Sequence, residues 1–183
     1  LRQTILWRGI FWPGHEHCVV YDQASRWFVE GAAVFVHESE PCRLEYLIEC
    51  DHTWTTQSAR VSGWVADKPI DIEINADSER NWSFNGSEQP AVKGCTDVDL
   101  NFTPSTNLLP IRRLALEVGQ QAPVSAAWLR FPSFKLERLD QVYSRLDQTT
   151  YRYESNDGEF VAQLEVNAIG LVTNYPELWQ QER

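Results

Sequence analysis

The chain has no methionine, four cysteines, four histidines, and 16 Lys and Arg against 26 Asp and Glu. Each shortage excludes something. The net charge of −10 repels phosphate backbones and anionic head groups, so nucleic acid and membrane surfaces are poor partners. The apolar run around "GAAVFV" at 31–36 falls far short of the ~20 residues a spanning helix needs, so no integral membrane segment is expected. Arg8 interrupts the apolar start "LRQTILWRGIFWPG", and no small-residue cleavage site follows it, unlike a secretory leader. The missing Met at position 1 points to a trimmed or processed start. Cys18, Cys42, Cys50 and Cys95 form no CxxC pair, so four reduced thiols packed as small hydrophobes are expected, in a cytoplasmic protein. GxSxG, P-loop, GxGxxG and HExxH patterns are all absent. No cofactor is therefore expected and no catalytic residue is nominated.

What remains is a globular composition. The 183 residues are 43% hydrophobic and 12% aromatic, with eight Trp, enough for one domain (1–183) with a substantial core. Short runs of β-branched and aromatic residues recur between turn signals. They predict strands near 4–11, 17–22, 26–36, 42–51, 57–66, 69–76, 80–85, 95–102, 122–131, 150–155, 159–166 and 169–174. "ADSERN" at 76–81, "NGSEQP" at 85–90 and "SNDGE" at 155–159 read as hairpin turns. The expected class is mostly β, a curved or barrel-like antiparallel sheet. One helix is expected, at 134–147, where Leu136, Leu139, Val142, Tyr143 and Leu146 recur at helical spacing. A rival start is Asn107 before "LLPIRRL" (107–116), with Pro110 in the first turn.

Three groups of residues could carry chemistry. "WPGHEHC" places His15 and His17 two apart, on one face of a strand, behind a Pro13-Gly14 turn. A metal would need a third ligand from His37, His52, a Cys or a carboxylate; none is nominated, and no metal is expected. In "KPIDIEINAD", Asp71, Glu73 and Asn75 alternate with Ile70, Ile72 and Ile74. "CTDVDLNF" repeats the device with Asp97, Asp99 and Asn101 against Val98, Leu100 and Phe102. If the two polar faces share a concavity, the acids could accept hydrogen bonds from sugar hydroxyls, with Trp64, Trp82 or Trp54 against the ring. The plain alternative is a solvated sheet face. Asp71 and Glu73 are also spaced for a glycosidase pair, but nothing assigns them unequal environments. Arg112 and Arg113 could pair with acids or anchor a phosphate or carboxylate.

Several stretches together resemble the bacterial glycolipid-binding family. They are "PGHEHC" (13–18), "RLEYLIECD" (43–51), "VSGWVADKPIDIEI" (61–74), "QPAVKGCTDVDLNFTPSTNLLPIRRL" (89–114), "AAWLRFP" (126–132), "YRYES" (151–155) and "LEVNAIGLVTNYPELW" (164–179). The resemblance implies a long curved antiparallel sheet, a half-barrel or roll, wrapped around a single α-helix and remotely like lipoprotein localisation factors. It also implies a homodimer and an acidic pocket for a glycolipid or its sugar. Carried onto this chain, that pocket maps to Asp71, Glu73, Asp97 and Asp99, then to Glu16, His15 and His17 as rim or support. Trp64 and Arg112 complete the expected ligand-binding set. The resulting expectation is non-catalytic binding of a glycolipid or sugar-containing amphipath, with a role in glycolipid metabolism. The alternative is a glycolipid-processing enzyme using two of the acids as general acid and base.

Overall fold

Alternation of apolar and polar residues dominates the first half of the chain, and a computed structural model, describing residues 2–182, shows what it builds. Six long strands run as consecutive antiparallel hairpins: β1 (Arg2–Gly9), β2 (Gly14–Gln23), β3 (Arg26–His37), β4 (Glu40–Cys50), β5 (Thr56–Val65) and β6 (Lys68–Ala76). Ile5, Cys18, Gly31, Tyr46, Val61 and Ile72 stand in one cross-strand row on the inner face, and all are buried. Each buried aliphatic side chain of such a row contributes about 1.5–3 kcal/mol relative to exposure. The short strands β7 (Trp82–Phe84) and β8 (Ser87–Glu88) finish this edge, leaving little unpaired backbone on which another chain could add a strand.

The second half adds β9 (Asp97–Leu100), the helix α1 (Leu108–Leu114), β10 (Gln121–Arg130) and β11 (Lys135–Arg145). It ends with β12 (Thr150–Ser155), β13 (Phe160–Val166), β14 (Val172–Tyr175) and β15 (Trp179–Gln181). All fifteen strands form one sheet, ordered β8-β7-β6-β5-β4-β3-β2-β1-β15-β14-β13-β12-β11-β10-β9. β15 returns to pair with β1 and so joins the two halves. The turn signals hold. In "ADSERN", Asp77 Oδ1 accepts from the amides of Glu79 (2.9 Å) and Asn81 (2.8 Å). In "SNDGE", Asn156, Asp157 and Gly158 turn the chain with φ of 52°, 53° and 86°.

The sheet rolls until its β9 edge meets the start of β5. There Val98 N donates to Thr56 Oγ1 (3.1 Å) and Thr56 N to the Thr96 carbonyl (3.3 Å). Arg80 clasps this seam. Its guanidinium donates to the carbonyls of Thr56 (2.6 Å), Cys95 (2.9 Å) and Thr96 (2.9 Å).

Two expectations are corrected. The sheet is not wholly antiparallel, because β9 and β10 run parallel. A parallel pair needs a crossover of a dozen or more residues, and the segment between β9 and β10 supplies it. That crossover contains α1, so the helix lies at 108–114 and residues 135–145 are strand β11. The helical spacing at 134–147 has a different cause. Leu136 pairs with Leu129 and Leu139 with Ala126, on opposite faces of the sheet, and all four are buried. Leu136 is buried at one end of a face whose Arg138 and Asp140 are exposed, while Leu139 is buried on the other face, so buried residues three apart need no helix. Gln141, buried between Leu139 and Tyr143, further hides the period of two. α1 is too short to persist alone. It is held inside the roll by buried Leu108, Leu109 and Ile111.

Candidate functional site

In β2 the period of two separates the residues of "HEHC". His15 and His17 face outward and are exposed, while Glu16 and Cys18 face the interior and are buried. His15 Nε2 lies 3.9 Å from Glu182 Oε1, and His17 borders a shallow outer groove with Glu30, Glu45 and Arg60. Among the described residues no group of three His, Cys, Asp or Glu is arranged to hold a metal.

Glu16 is wholly buried. Its Oε1 accepts from the Tyr46 hydroxyl (2.6 Å) and the Thr103 hydroxyl (2.5 Å), while Oε2 has no partner. Burial raises its pKa to about 8, against the opposing pull of those two hydrogen bonds. The carboxyl is therefore neutral at pH 7. Gly31 makes this arrangement possible, since a Cβ there would stand 2.3 Å from the Tyr46 phenol.

The two acid rows face opposite ways. Asp71 and Glu73 of β6 point outward and are exposed, in register with outward Ser62 and Arg60 of β5. Asp71 Oδ1 sits 3.5 Å from Arg60, and Glu73 accepts from Asn75 Nδ2 (2.9 Å). Trp64, half-buried, lies in the same outward set between Arg43 and Pro69. Asp97 and Asp99 of β9 instead face the inside of the roll. The structure therefore does not bring Asp71 and Glu73 together with Asp97 and Asp99. The alternation is the same on both strands, but β9 is covered on both faces, so its polar residues are enclosed as well.

Within the roll the two aspartates differ. Asp97 is buried in a two-pronged ion pair with Arg113 of α1, at 3.1 Å (Nε to Oδ1) and 2.5 Å (Nη2 to Oδ2). That pair ties the helix to the sheet and occupies the carboxylate. Asp99 opens onto a cavity of about 420 Å³. Its Oδ2 accepts from Gln141 Nε2 (2.7 Å). Burial raises its pKa to about 6, with the Gln141 hydrogen bond opposing and the charge of Asp97 adding to the rise.

The cavity lies at one end of the roll. Its polar wall includes Asp99, Asn101, Thr103 and Asn107, and its aromatic wall Phe11, Trp12, Trp128, Phe131, Tyr153, Phe160, Tyr175 and Trp179. Two ring clusters brace it. Trp12 packs edge-on to Phe131 (4.9 Å), and Tyr153 packs against Phe160 (6.0 Å) and Tyr175 (6.4 Å). Asn101 Oδ1 accepts from Phe131 N (3.0 Å), and Asn107 Nδ2 donates to the Tyr143 hydroxyl (2.8 Å). Thr103 joins the cavity wall to Glu16 behind it. Arg130, over the Trp128 ring at 5.5 Å, stands at the edge beside Glu137. Acceptors for hydroxyls thus face flat apolar surfaces, an arrangement suited to a sugar ring or a short apolar chain. Sequence reasoning missed Trp12, Thr103, Asn107, Tyr153 and Tyr175. Only their places beside the "PGHEHC", "STNLLP", "YRYES" and "NYPELW" stretches mark them. Arg112 lines a different cavity at the other end of the roll.

The model of a family described as "Putative glycolipid-binding" matches residues 4–181. The crystal structure of a DUF1089 family protein from Pseudomonas aeruginosa is 30% identical, with a TM-score of 0.79 over 91% of this chain and 92% of that one. The crystal structure of a β-barrel-like protein of the DUF1849 domain from Brucella abortus shares the fold at 7% identity, with a TM-score of 0.57, over 100% of this chain and 95% of that one. No curated protein matches.

Proposed function

The chain belongs to the glycolipid-binding family, and from that premise we propose that it binds the sugar of a glycolipid, or a like amphipath, in the Asp99 cavity without chemical change. The observation that carries this reading is a partly enclosed carboxylate flanked by aromatic faces in a cavity of about 420 Å³. A hexose needs such a mixture, with acceptors for its hydroxyls and a flat surface for its C–H face. Asp99 and the neighbouring Asn101 and Thr103 are the acidic and polar part of the pocket. Asp71, Glu73, His15, His17 and Trp64, on the outer face, serve as controls.

The enzyme reading has one observation in its favour, a carboxyl near pH 6 that could exchange a proton. Glycoside hydrolysis needs a second carboxylate across the bond. Asp99 is the carboxylate lining this cavity, and Asp97 is held by Arg113. Binding without turnover is the better-supported reading.

The role belongs to bacterial glycolipid metabolism, and four buried free thiols fit the reducing cytoplasm. A homodimer accords with exposed Leu6, Val34, Val36 and Leu47 on the outward face, and light scattering near twice 21.1 kDa would support it.

Titration with n-octyl β-D-glucoside, followed by Trp fluorescence, tests the binding site. Affinity is expected to rise from pH 5 to pH 7 as Asp99 ionises, because a carboxylate accepts hydroxyl donors more strongly than its acid does. Asp99→Asn should weaken binding about tenfold at pH 7, equivalent to about 1.4 kcal/mol, and remove the pH dependence. Asp71→Asn and Glu73→Gln should bind like the parent. Loss of binding in the outer-face variants, with none in Asp99→Asn, would move the site out of this cavity.

A further inference from the structure

α1 runs between two cavities. Asn107, just before it, lines the Asp99 cavity, and Ile111, Arg112 and Ala115 line the other, of about 240 Å³. Along β11 the two are marked by Leu139 and Arg145, six residues and roughly 20 Å apart in an extended strand.

The second cavity has the opposite charge character. Arg112 and Arg145 line it, and none of its lining residues is a carboxylate, in a chain with 26 acidic and 16 basic residues. Arg145 is held in place by the backbone. It donates to the carbonyls of Leu116 (2.7 Å), Asp147 (3.2 Å) and Gln148 (3.2 Å), none of which cancels its charge. A guanidinium has five N–H donors, so two remain. Arg112 has no ion pair or hydrogen bond among the described residues, and its guanidinium rests 5.4 Å over the Trp54 ring. Its neighbour Arg113 is the one that Asp97 engages. Both guanidiniums act on the Tyr151 hydroxyl: burial raises its pKa, and Arg145 and then Arg112 pull against that rise. Gly170 closes the wall, since a Cβ there would stand 2.9 Å from Ile111 and 3.2 Å from Leu108.

We infer that this cavity binds a phosphate group, held between the guanidiniums of Arg112 and Arg145 with the Tyr151 hydroxyl as a further donor. Arginine forks match the oxygens of a phosphate, and a cationic pocket in an acidic protein concentrates anions locally. The site is independent of the reading of the Asp99 cavity. The phosphate could be free or part of a lipid head group, and the two probes below separate these sources.

The test is calorimetric titration and thermal melting of the whole chain at pH 7, with inorganic phosphate compared with chloride at equal ionic strength. Phosphate is expected to bind at one site per chain and raise Tm where chloride does not. Arg112→Gln should weaken phosphate at least tenfold, yet melt close to the parent without phosphate, because among the described residues Arg112 makes no hydrogen bond or ion pair and only rests on the Trp54 ring. It should also bind octyl glucoside unchanged, which keeps a failure here distinct from a failure of the sugar site. Arg112→Lys should restore part of the affinity. Dihexanoyl phosphatidic acid below its micelle concentration is the second probe. If it binds tenfold tighter than inorganic phosphate, the occupant is a lipid head group; equal affinity makes it free phosphate. Equal responses to phosphate and chloride, or an Arg112→Gln protein that binds phosphate like the parent, would overturn the site.

Discussion

Glu16 offers the sharpest test of how the interior is built. Its carboxyl is fully buried with one oxygen unpartnered, and its pKa is raised from 4.5 to about 8. The effect on stability follows from proton counting. Below about pH 4.5 the folded and unfolded chains both hold this proton, so Glu16 adds no pH dependence. Between pH 4.5 and about 8 the unfolded chain releases the proton and the folded chain keeps it. Each pH unit in that window then costs folding about 1.4 kcal/mol, up to about 5 kcal/mol across it. Above about pH 8 both states are ionised and the dependence stops. Cys18 and Tyr46, the weaker acids beside it, are pushed further up by burial and stay neutral throughout the window. Glu16→Gln keeps an acceptor for Tyr46 and Thr103 but cannot ionise. Urea unfolding at pH 5, 6.5 and 8 should find variant and parent within about 1 kcal/mol at pH 5. By pH 8 the variant should be more stable by about 3–5 kcal/mol. Comparison with the parent cancels every other titrating group. Parallel stability–pH curves for the two proteins would refute the reasoning and mean that the carboxyl is hydrated or ionised in the folded state.

Three further outcomes are expected. Arg113→Leu leaves Asp97 buried and uncompensated, and should cost about 3–5 kcal/mol by urea titration; a loss below about 1 kcal/mol would mean that water reaches this carboxylate. Arg80→Leu removes three charge-assisted hydrogen bonds from the seam, although Cys95 and Thr96 each keep a second donor, and should cost about 3 kcal/mol and speed hydrogen exchange at Val98 N beside the seam, while amides of β2 and β3 stay protected. The four thiols should resist a disulfide reagent in the native protein and all react in urea, since all are buried and burial pushes the Cys95 thiol up to about 11; fast native labelling at any of them would contradict that burial.

The alternation in "GHEHCVV", "CRLEYLIEC" and "DIEINA" reports which side chains share a face, because successive residues of a strand point to opposite sides. It placed His15 with His17, and Asp71 with Glu73, and local turn chemistry placed the hairpins at "ADSERN" and "SNDGE". Periodicity carries no information on which face is enclosed once a strand is covered on both sides. That is why the matching acid rows of β6 and β9 ended on opposite surfaces. Leu136 and Leu139 imitated a helix because each is buried on a different face of β11. The cavity was still less legible, since its walls come from Phe11 to Trp179 and meet only after β15 pairs with β1. Sequence by itself determined the mostly β character, most strand positions and the partition of each strand into two faces, since these depend on neighbours a few residues away. Tertiary structure alone decided which acids are enclosed, that Arg113 and not Arg112 meets Asp97, and that a buried Glu16 stays neutral. Those outcomes depend on desolvation and on charges brought together by the rolling of the sheet, across separations that no local pattern encodes.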